Sequence, residues 1–214
     1  FLGNLKSGGK KLVLSFSDLA KEKPEESMAG ASHYVNHLYF YPDTRRFLFF
    51  HCWNKKGKKK VRLLSSDFNG NNLEVITTSS QILSHLCWVD SRTILAYLVN
   101  GNKGRGFYFI DLKTYELEKY KGYLFDNLDG HPYSSSEFFV TDTIPDEYSE
   151  RNLVINSFKN NNSDLISRIY SNPLLVGPER CDLHPRINEN FNLVCVDSAH
   201  NGFREMLVFD LNKK

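Results

Sequence analysis

The chain has 214 residues, 41% hydrophobic, 14% aromatic and 24% charged, which is a globular composition long enough to bury a substantial core. It excludes both a disordered chain and a small disulfide-stapled module. Lysine and arginine number 27 against 25 acidic residues, so the formal charge of +2 supplies no global field to recruit nucleic acid or an anionic membrane.

No apolar run approaches the ~20 residues that cross a bilayer, and the N-terminal stretch lacks the charged, apolar, small-residue layout of a signal peptide. Cys52, Cys87, Cys181 and Cys195 are far apart, lie in or near apolar runs and form no C-x-x-C pair. Buried thiols and a reducing, cytoplasmic compartment are expected. No Walker loop, dinucleotide-binding glycine fingerprint, G-x-S-x-G elbow or H-E-x-x-H is present, so kinase, dehydrogenase and serine-hydrolase readings lose support.

Taken along the chain, Lys11-Leu-Val-Leu-Ser-Phe-Ser17 reads as one strand, and the polar Lys21-Glu-Lys-Pro-Glu-Glu-Ser27 as the exit from it. A larger unit then recurs. His37-Leu-Tyr-Phe-Tyr-Pro-Asp43 runs to Phe47-Leu-Phe-Phe50, and Val61-Arg-Leu-Leu64 and Leu73-Glu-Val-Ile76 flank the turn Asp67-Phe-Asn-Gly70. The five lysines of Asn54-Lys-Lys-Gly-Lys-Lys-Lys60 read as a solvated hairpin tip, with polyanion binding the alternative.

The second unit opens at His85-Leu-Cys-Trp-Val-Asp90 and continues through Ile94–Tyr97, Gly106–Leu112 and Tyr115–Tyr120. The third opens at His131-Pro-Tyr-Ser134 and continues through Phe138–Asp142, Leu153–Phe158 and Leu165–Tyr170. The fourth opens at His184-Pro-Arg-Ile187, passes through Leu193–Asp197 and ends after a third strand, Met206–Leu211. Successive opening histidines are 48, 46 and 53 positions apart. No stretch sustains a long helical period.

Repeats of about 45–50 residues with four strands each predict β-propeller blades, small sheets that hide both apolar faces only by stacking on neighbours. The expected fold class is therefore all-β, a partial propeller within one domain, 1–214. Its blades are placed at 33–80, 81–126, 127–178 and 179–214, with 1–30 belonging to a preceding blade. Either the N-terminal strand closes the ring or further blades precede it; the leftover strand with its polar exit favours the second arrangement. Open blade edges in a truncated propeller would then favour association with another chain.

Several phrases carry a family likeness: Asn36-His37 leading to the Pro42-Asp43 turn, Asp129-Gly-His-Pro132, Thr141-Asp-Thr-Ile-Pro-Asp146, Arg180-Cys-Asp-Leu-His-Pro-Arg186 and Val196-Asp-Ser-Ala-His-Asn-Gly202. Over roughly residues 10–212 the chain resembles bacterial propellers of the oligogalacturonate-lyase-like and TolB type. That resemblance implies a carbohydrate-related role. Oligogalacturonate lyases cleave short pectin fragments by β-elimination, with a manganese-type metal held largely by histidines. Their His-x-His pair appears here as Asp182-Leu-His184, and a carboxylate in that place remains a competent ligand.

Because equivalent repeat positions converge on the axial funnel of a propeller, His37, His85, His131 and His184 are expected ahead of their inner strands, facing one mouth. Imidazoles beside a carboxylate suit a divalent Mn, Zn, Fe or Ni ion, with His37, His131, Asp182 and His184 as expected ligands. The alternative is that each His caps its inner strand.

Elimination beside a uronic carboxylate needs a cation, a base and an acid. Arg180 and Arg186 are expected to hold the carboxylate, His85 or His131 to act as base, and Tyr133 to protonate the leaving oxygen. The two arginines could instead pair with Asp142 or Asp197. His51 reads as a core or channel histidine, His200 as a turn residue, and His33 is expected at the funnel mouth. The expected partner is an acidic oligosaccharide or other glycan, with no nucleic acid and no membrane span; a non-catalytic propeller binding a glycan or protein on the same face is the competing reading.

Overall fold

A computed structural model describes residues 1–42, 45–125 and 128–213. Asp43 of the expected Pro42-Asp43 turn, the blade boundary expected at 126/127, and Lys214 lie outside the described residues. The chain resolves into two units, Phe1–Leu83 and Ser84–Lys214.

In the first unit a short hairpin pairs β1 (Leu2–Gly3) with β2 (Lys10–Lys11), followed by helix α1 (Phe16–Lys21). The strand expected over 11–17 is therefore a correction. Leu12, Leu14 and Phe16 alternate with other residues as a strand would, but Ser15 and Asp18 form a capping box that starts a helix. Ser15 Oγ accepts the Asp18 N–H at 3.2 Å, and the Asp18 carboxylate accepts the Ser15 N–H at 2.8 Å.

The sheet that follows has the order β3 (Ser32–Phe40), β4 (Arg46–Lys55), β5 (Lys58–Asp67) and β6 (Glu74–Val75), each pair antiparallel. Lys56 and Gly57 both take positive φ (52° and 81°) and close β4 onto β5 with a two-residue turn. The lysine run is thus a hairpin tip. Leu19 of α1 packs with Phe49, Leu64 and Val75 of the sheet. Arg62, fully buried, donates to the carbonyls of Leu19 (2.7 Å), Glu22 (2.9 Å) and Lys23 (2.9 Å), tying the helix exit to β5.

Three further sheets follow, all in the second unit but for Gln81–Leu83 at the start of the first. The first has β7 (Gln81–Trp88), β8 (Thr93–Asn100), β9 (Arg105–Asp111) and β10 (Leu117–Lys119). The second has β11 (Tyr133–Ser134), β12 (Phe138–Thr141), β13 (Glu150–Ser157) and β14 (Ser163–Tyr170), and the third has β15 (Arg186–Ile187), β16 (Leu193–Ser198) and β17 (Glu205–Asp210).

Side chains on a strand alternate between faces, and β12 shows the consequence. Phe139 joins a cluster with Leu95, Tyr97, Phe107 and Tyr120 of the preceding sheet, while Val140 joins Leu183, Ile187, Val194 and Val196 of the following one. A sheet buried on both faces by its neighbours is a propeller blade, and the fold class is all-β with blades of this kind.

The histidines do not occupy matching places. His131 and His184 precede β11 and β15, as expected. His85 lies inside β7, and His37 sits inside β3 at a bulge where the register shifts between Asn36 and Tyr39, with φ +51°. The first two inner strands begin well before their histidines because apolar residues upstream already pair, as Val35 does with His51.

A candidate metal centre beside a cavity

Two loops of the second unit carry the site, residues 129–132 leading into β11 and residues 180–185 leading into β15. Asp142, immediately after β12, binds both. Its side chain is fully buried, and Oδ1 accepts the His131 backbone N–H at 2.6 Å and His131 Nδ1–H at 3.0 Å, while Oδ2 accepts the Leu183 N–H at 3.1 Å. Burial alone would raise the Asp142 pKa, but the His131 hydrogen bonds and charge, supported by Arg151, hold it below the ordinary carboxylate range. An ionised carboxylate only accepts, so His131 carries a proton on Nδ1, and in the neutral ring Nε2 presents the lone pair.

Gly130 makes this approach feasible. A Cβ there would stand 1.7 Å from the Asp142 carbonyl oxygen and 2.6 Å from Thr141 Oγ1. The Asp-Gly-His phrase is thus explained by close backbone contact.

Asp182 is held by two guanidinium groups. Arg151, on β13 and almost fully buried, donates to Oδ1 at 2.5 Å and also to Thr143 O (3.0 Å) and Ser171 Oγ (3.2 Å). Arg180 donates to Oδ2 from Nε at 3.1 Å and Nη2 at 2.6 Å, with its side chain 59% exposed. His184 follows with φ +42°, its Nδ1 3.8 Å from Asp197 Oδ2. Burial lowers the His184 pKa, and His131 and Arg186 act in the same direction against Asp142 and Asp182, so the ring stays neutral and able to ligate.

Ligand atoms of His131, Asp182 and His184 all lie within 4.8 Å of one another. Bonds of about 2.0–2.2 Å would hold such atoms roughly 3–4 Å apart, so the group has to draw together to hold one ion. Two imidazoles and a carboxylate fit a borderline divalent cation. His85 completes a row of rings, its centroid 4.0 Å from that of His131, which is 4.2 Å from His184. His85 Nδ1 lies 3.2 Å from Asp129 Oδ1.

A cavity of about 330 Å³ opens beside the group, lined among others by His85, His131, Arg151, Arg180 and Asp182, with Ile144, Pro145 and Leu175 as apolar walls. This is within the size range of small-ligand sites. Tyr133 and Arg186 are not among its lining residues. They face each other instead, with the guanidinium carbon 5.5 Å from the ring centre, and Arg186 donates to the carbonyls of His184 (3.2 Å) and Pro185 (2.8 Å).

The alternative pairing of the arginines with Asp142 or Asp197 is corrected as well: Asp142 is filled by His131 and Leu183, and the carboxylate that Arg180 takes is Asp182. In the first unit, His37 stacks on Phe50 at 4.7 Å, and His33 bonds His51 at 2.8 Å. His200 bonds Ser198 Oγ (2.8 Å) at its turn and lies 3.1 Å from Glu205.

Sequence reasoning assigned no positioning role to Asp142 or Arg151. Asp142 carried a signal, since it lies within the Thr141–Asp146 phrase; Arg151, one strand residue among others, carried none.

The fold and the site together define an all-β protein built of β-propeller blades, with a candidate metal centre in the loops entering two of the inner strands. Solved structures show the same architecture in longer chains. The protein is similar to an oligogalacturonate lyase in complex with manganese, with 18% identity and a TM-score of 0.66 over 84% of this chain and 49% of that one. It is similar to TolB from Acinetobacter baumannii, with 10% identity and a TM-score of 0.55 over 86% of this chain and 55% of that one. The β-propeller domain of the Trilobed protease from Pyrococcus furiosus aligns at 12% identity and a TM-score of 0.53, over 84% and 56% of the two chains. The chain thus spans about half the length of these propellers. No protein-family model and no curated protein matches the sequence. At such identities the likeness shows the fold alone.

Proposed function

We propose that the second unit binds a divalent cation through His131, Asp182 and His184 and acts as a metal-assisted lyase on a uronate-containing oligosaccharide in the adjoining cavity. The observation that carries this reading is the convergence of three donor side chains, two of which, His131 and Asp182, line the adjoining cavity, with the His131 ring oriented by buried Asp142. The oligogalacturonate lyase similar to this chain is complexed with manganese. A bound cation would supply Lewis acidity toward the uronic carboxylate, acidifying the C5 proton.

The chain's own groups provide the remaining parts. His85, oriented by Asp129 through Nδ1, is the base for the C5 proton, and Arg180 on the cavity wall offers a carboxylate a two-pronged donor. Ile144, Pro145 and Leu175 supply apolar contact for a sugar ring. With Tyr133 outside the cavity lining and His131 held between Asp142 and the ion, the leaving oxygen takes its proton from water.

That position of Tyr133 also favours the second reading, a propeller that holds an acidic glycan without turning it over. Two measurements separate them. Metal analysis of protein purified without chelator should find Mn, Zn, Fe or Ni, and a panel of oligouronates should yield the absorbance of a new conjugated double bond that His85→Ala and His184→Ala both abolish. Metal binding with saturable glycan binding but no absorbance change supports the binding protein; no metal and no glycan binding overturns both.

A further inference from the structure

We propose that Arg180 is an exchangeable internal counter-ion: it occupies the metal-facing oxygen of Asp182 until a cation arrives, is displaced by that cation, and then takes up the carboxylate of the incoming glycan. This rests on the metal-binding reading above.

Both oxygens of Asp182 are engaged by guanidinium, Oδ1 by Arg151 and Oδ2 by Arg180. A carboxylate in that state cannot ligate an ion without losing one partner, and the two partners are unequal. Arg151 is almost fully buried and held at Thr143 and Ser171 as well. Arg180 donates from both Nε and Nη2 to the single oxygen Oδ2, and its side chain is 59% exposed, so water can solvate it as soon as it leaves. Oδ2 is therefore the oxygen available to the ion, while Arg151 keeps Oδ1 and with it the carboxylate's orientation. The Arg180 backbone stays in place during the exchange, because its carbonyl accepts Arg204 Nη2 at 2.9 Å. Only the side chain has to turn.

Charge balance supplies the direction. With neutral imidazoles, Asp142 and Asp182 are offset by Arg151 and Arg180, and Asp129 and Asp197 against Arg186 leave the surroundings one negative charge in excess. A divalent ion adds two positive charges within a few ångströms, which repel the guanidinium nearest to them. The freed Arg180, still on the cavity wall, and the ion then face a uronic carboxylate from two sides. Metal binding before glycan follows, and the glycan strengthens metal retention by the same factor that the metal strengthens glycan binding.

The test compares wild type, Arg180→Gln and Arg180→Lys by Mn²⁺ titration, with free ion read from its electron paramagnetic resonance signal, and by calorimetry with trigalacturonate on the Mn²⁺-loaded proteins. Arg180→Gln should bind Mn²⁺ about three- to tenfold more tightly than wild type and trigalacturonate at least about threefold more weakly. Arg180→Lys, with one donor point and no fork, should fall between them in both. Thermal unfolding in chelator establishes that the variants are folded. Wild type that binds Mn²⁺ while Arg180→Gln binds it equally or less tightly overturns the exchange and leaves the metal reading standing. Failure of every variant, wild type included, to bind Mn²⁺ overturns the metal reading and the exchange with it.

Discussion

Replacing Asp142 by Asn keeps the volume of a buried side chain and changes its charge and hydrogen-bonding capacity, so it isolates what this carboxylate does. The amide oxygen can keep one set of contacts, the backbone N–H and Nδ1–H of His131 at 2.6 and 3.0 Å. The amide NH₂ then faces the Leu183 N–H, donor against donor, where the carboxylate accepted at 3.1 Å. Losing a hydrogen bond to a charged group costs about 1.5–3 kcal/mol, and the orphaned buried N–H adds to it, while relief from burying a charge subtracts. The net expectation is about 2–4 kcal/mol of destabilisation. If the amide turns over, its NH₂ donates to His131 Nδ1, which moves the imidazole proton to Nε2 and blocks the lone pair aimed at the ion. Either orientation should weaken Mn²⁺ binding about 10- to 100-fold. Urea unfolding in chelator reads the first quantity and metal titration the second. An Asp142→Asn protein with the wild-type unfolding midpoint and the wild-type Mn²⁺ affinity would refute the idea that this carboxylate positions the site.

Gly130→Ala places a Cβ 1.7 Å from the Asp142 carbonyl, a backbone atom that cannot step aside, so we expect a loss of about 2–4 kcal/mol in urea unfolding together with weakened Mn²⁺ binding. A variant within about 0.5 kcal/mol of wild type would contradict that contact. In the first unit, burial foremost, then Arg62 and His33, pushes the His51 pKa down to about 3. The unfolded chain, near pH 6.5 for this group, therefore binds one more proton between about 3 and 6.5. The stability tied to neutral His51 is complete above that window and is lost as the pH falls through it, by up to tenfold in the folding equilibrium per pH unit. Equilibrium unfolding from pH 7 to pH 4 should be steeper for wild type than for His51→Gln, and parallel profiles would show that His51 is not the group responsible.

How much of this was legible in the sequence depended on whether a residue's role is local. Strands announced themselves through β-branched and aromatic alternation, and a turn through Asp67-Phe-Asn-Gly70, because those signals are written within a few residues. Helix α1 was also local, and Ser15-x-x-Asp18 was the cue to it, but Leu12, Leu14 and Phe16 mimicked a strand. His131 and His184 could be nominated from repeat phase and residue type, and Asp182 from the resemblance to the lyases, whose His-x-His pair it partly replaces. The places of His37 and His85 within their strands could not, since where an inner strand begins is set by cross-strand pairing, and β3 starts at Ser32. Asp142 and Arg151 were hidden for a related reason. A buried charge acquires its role from the groups packed against it, and those come from a different sheet.

That dependence ties the candidate site to the packing of the fold. Asp142 and Arg151 belong to the sheet of β11–β14, while Leu183 and Asp182, which they hold, precede the sheet of β15–β17. The apolar layer between those two sheets, Val140, Leu153 and Ile169 against Leu183, Ile187, Val194 and Val196, is continuous with the loop that carries the ligands. Leu183 belongs to both systems: its side chain sits in the apolar layer and its N–H on Asp142. A displacement of one sheet against the other cannot occur without moving Asp182 and His184 relative to His131. An ion bound by all three therefore stabilises the seam as well as the loops. At a hundredfold excess over its dissociation constant it contributes about 2.7 kcal/mol to the second unit, provided that the unfolded chain does not bind it. Thinning the seam with Val194→Ala, remote in chemistry from the ligands, should therefore lower metal affinity as well as stability, a coupling absent from a site built on a single sheet.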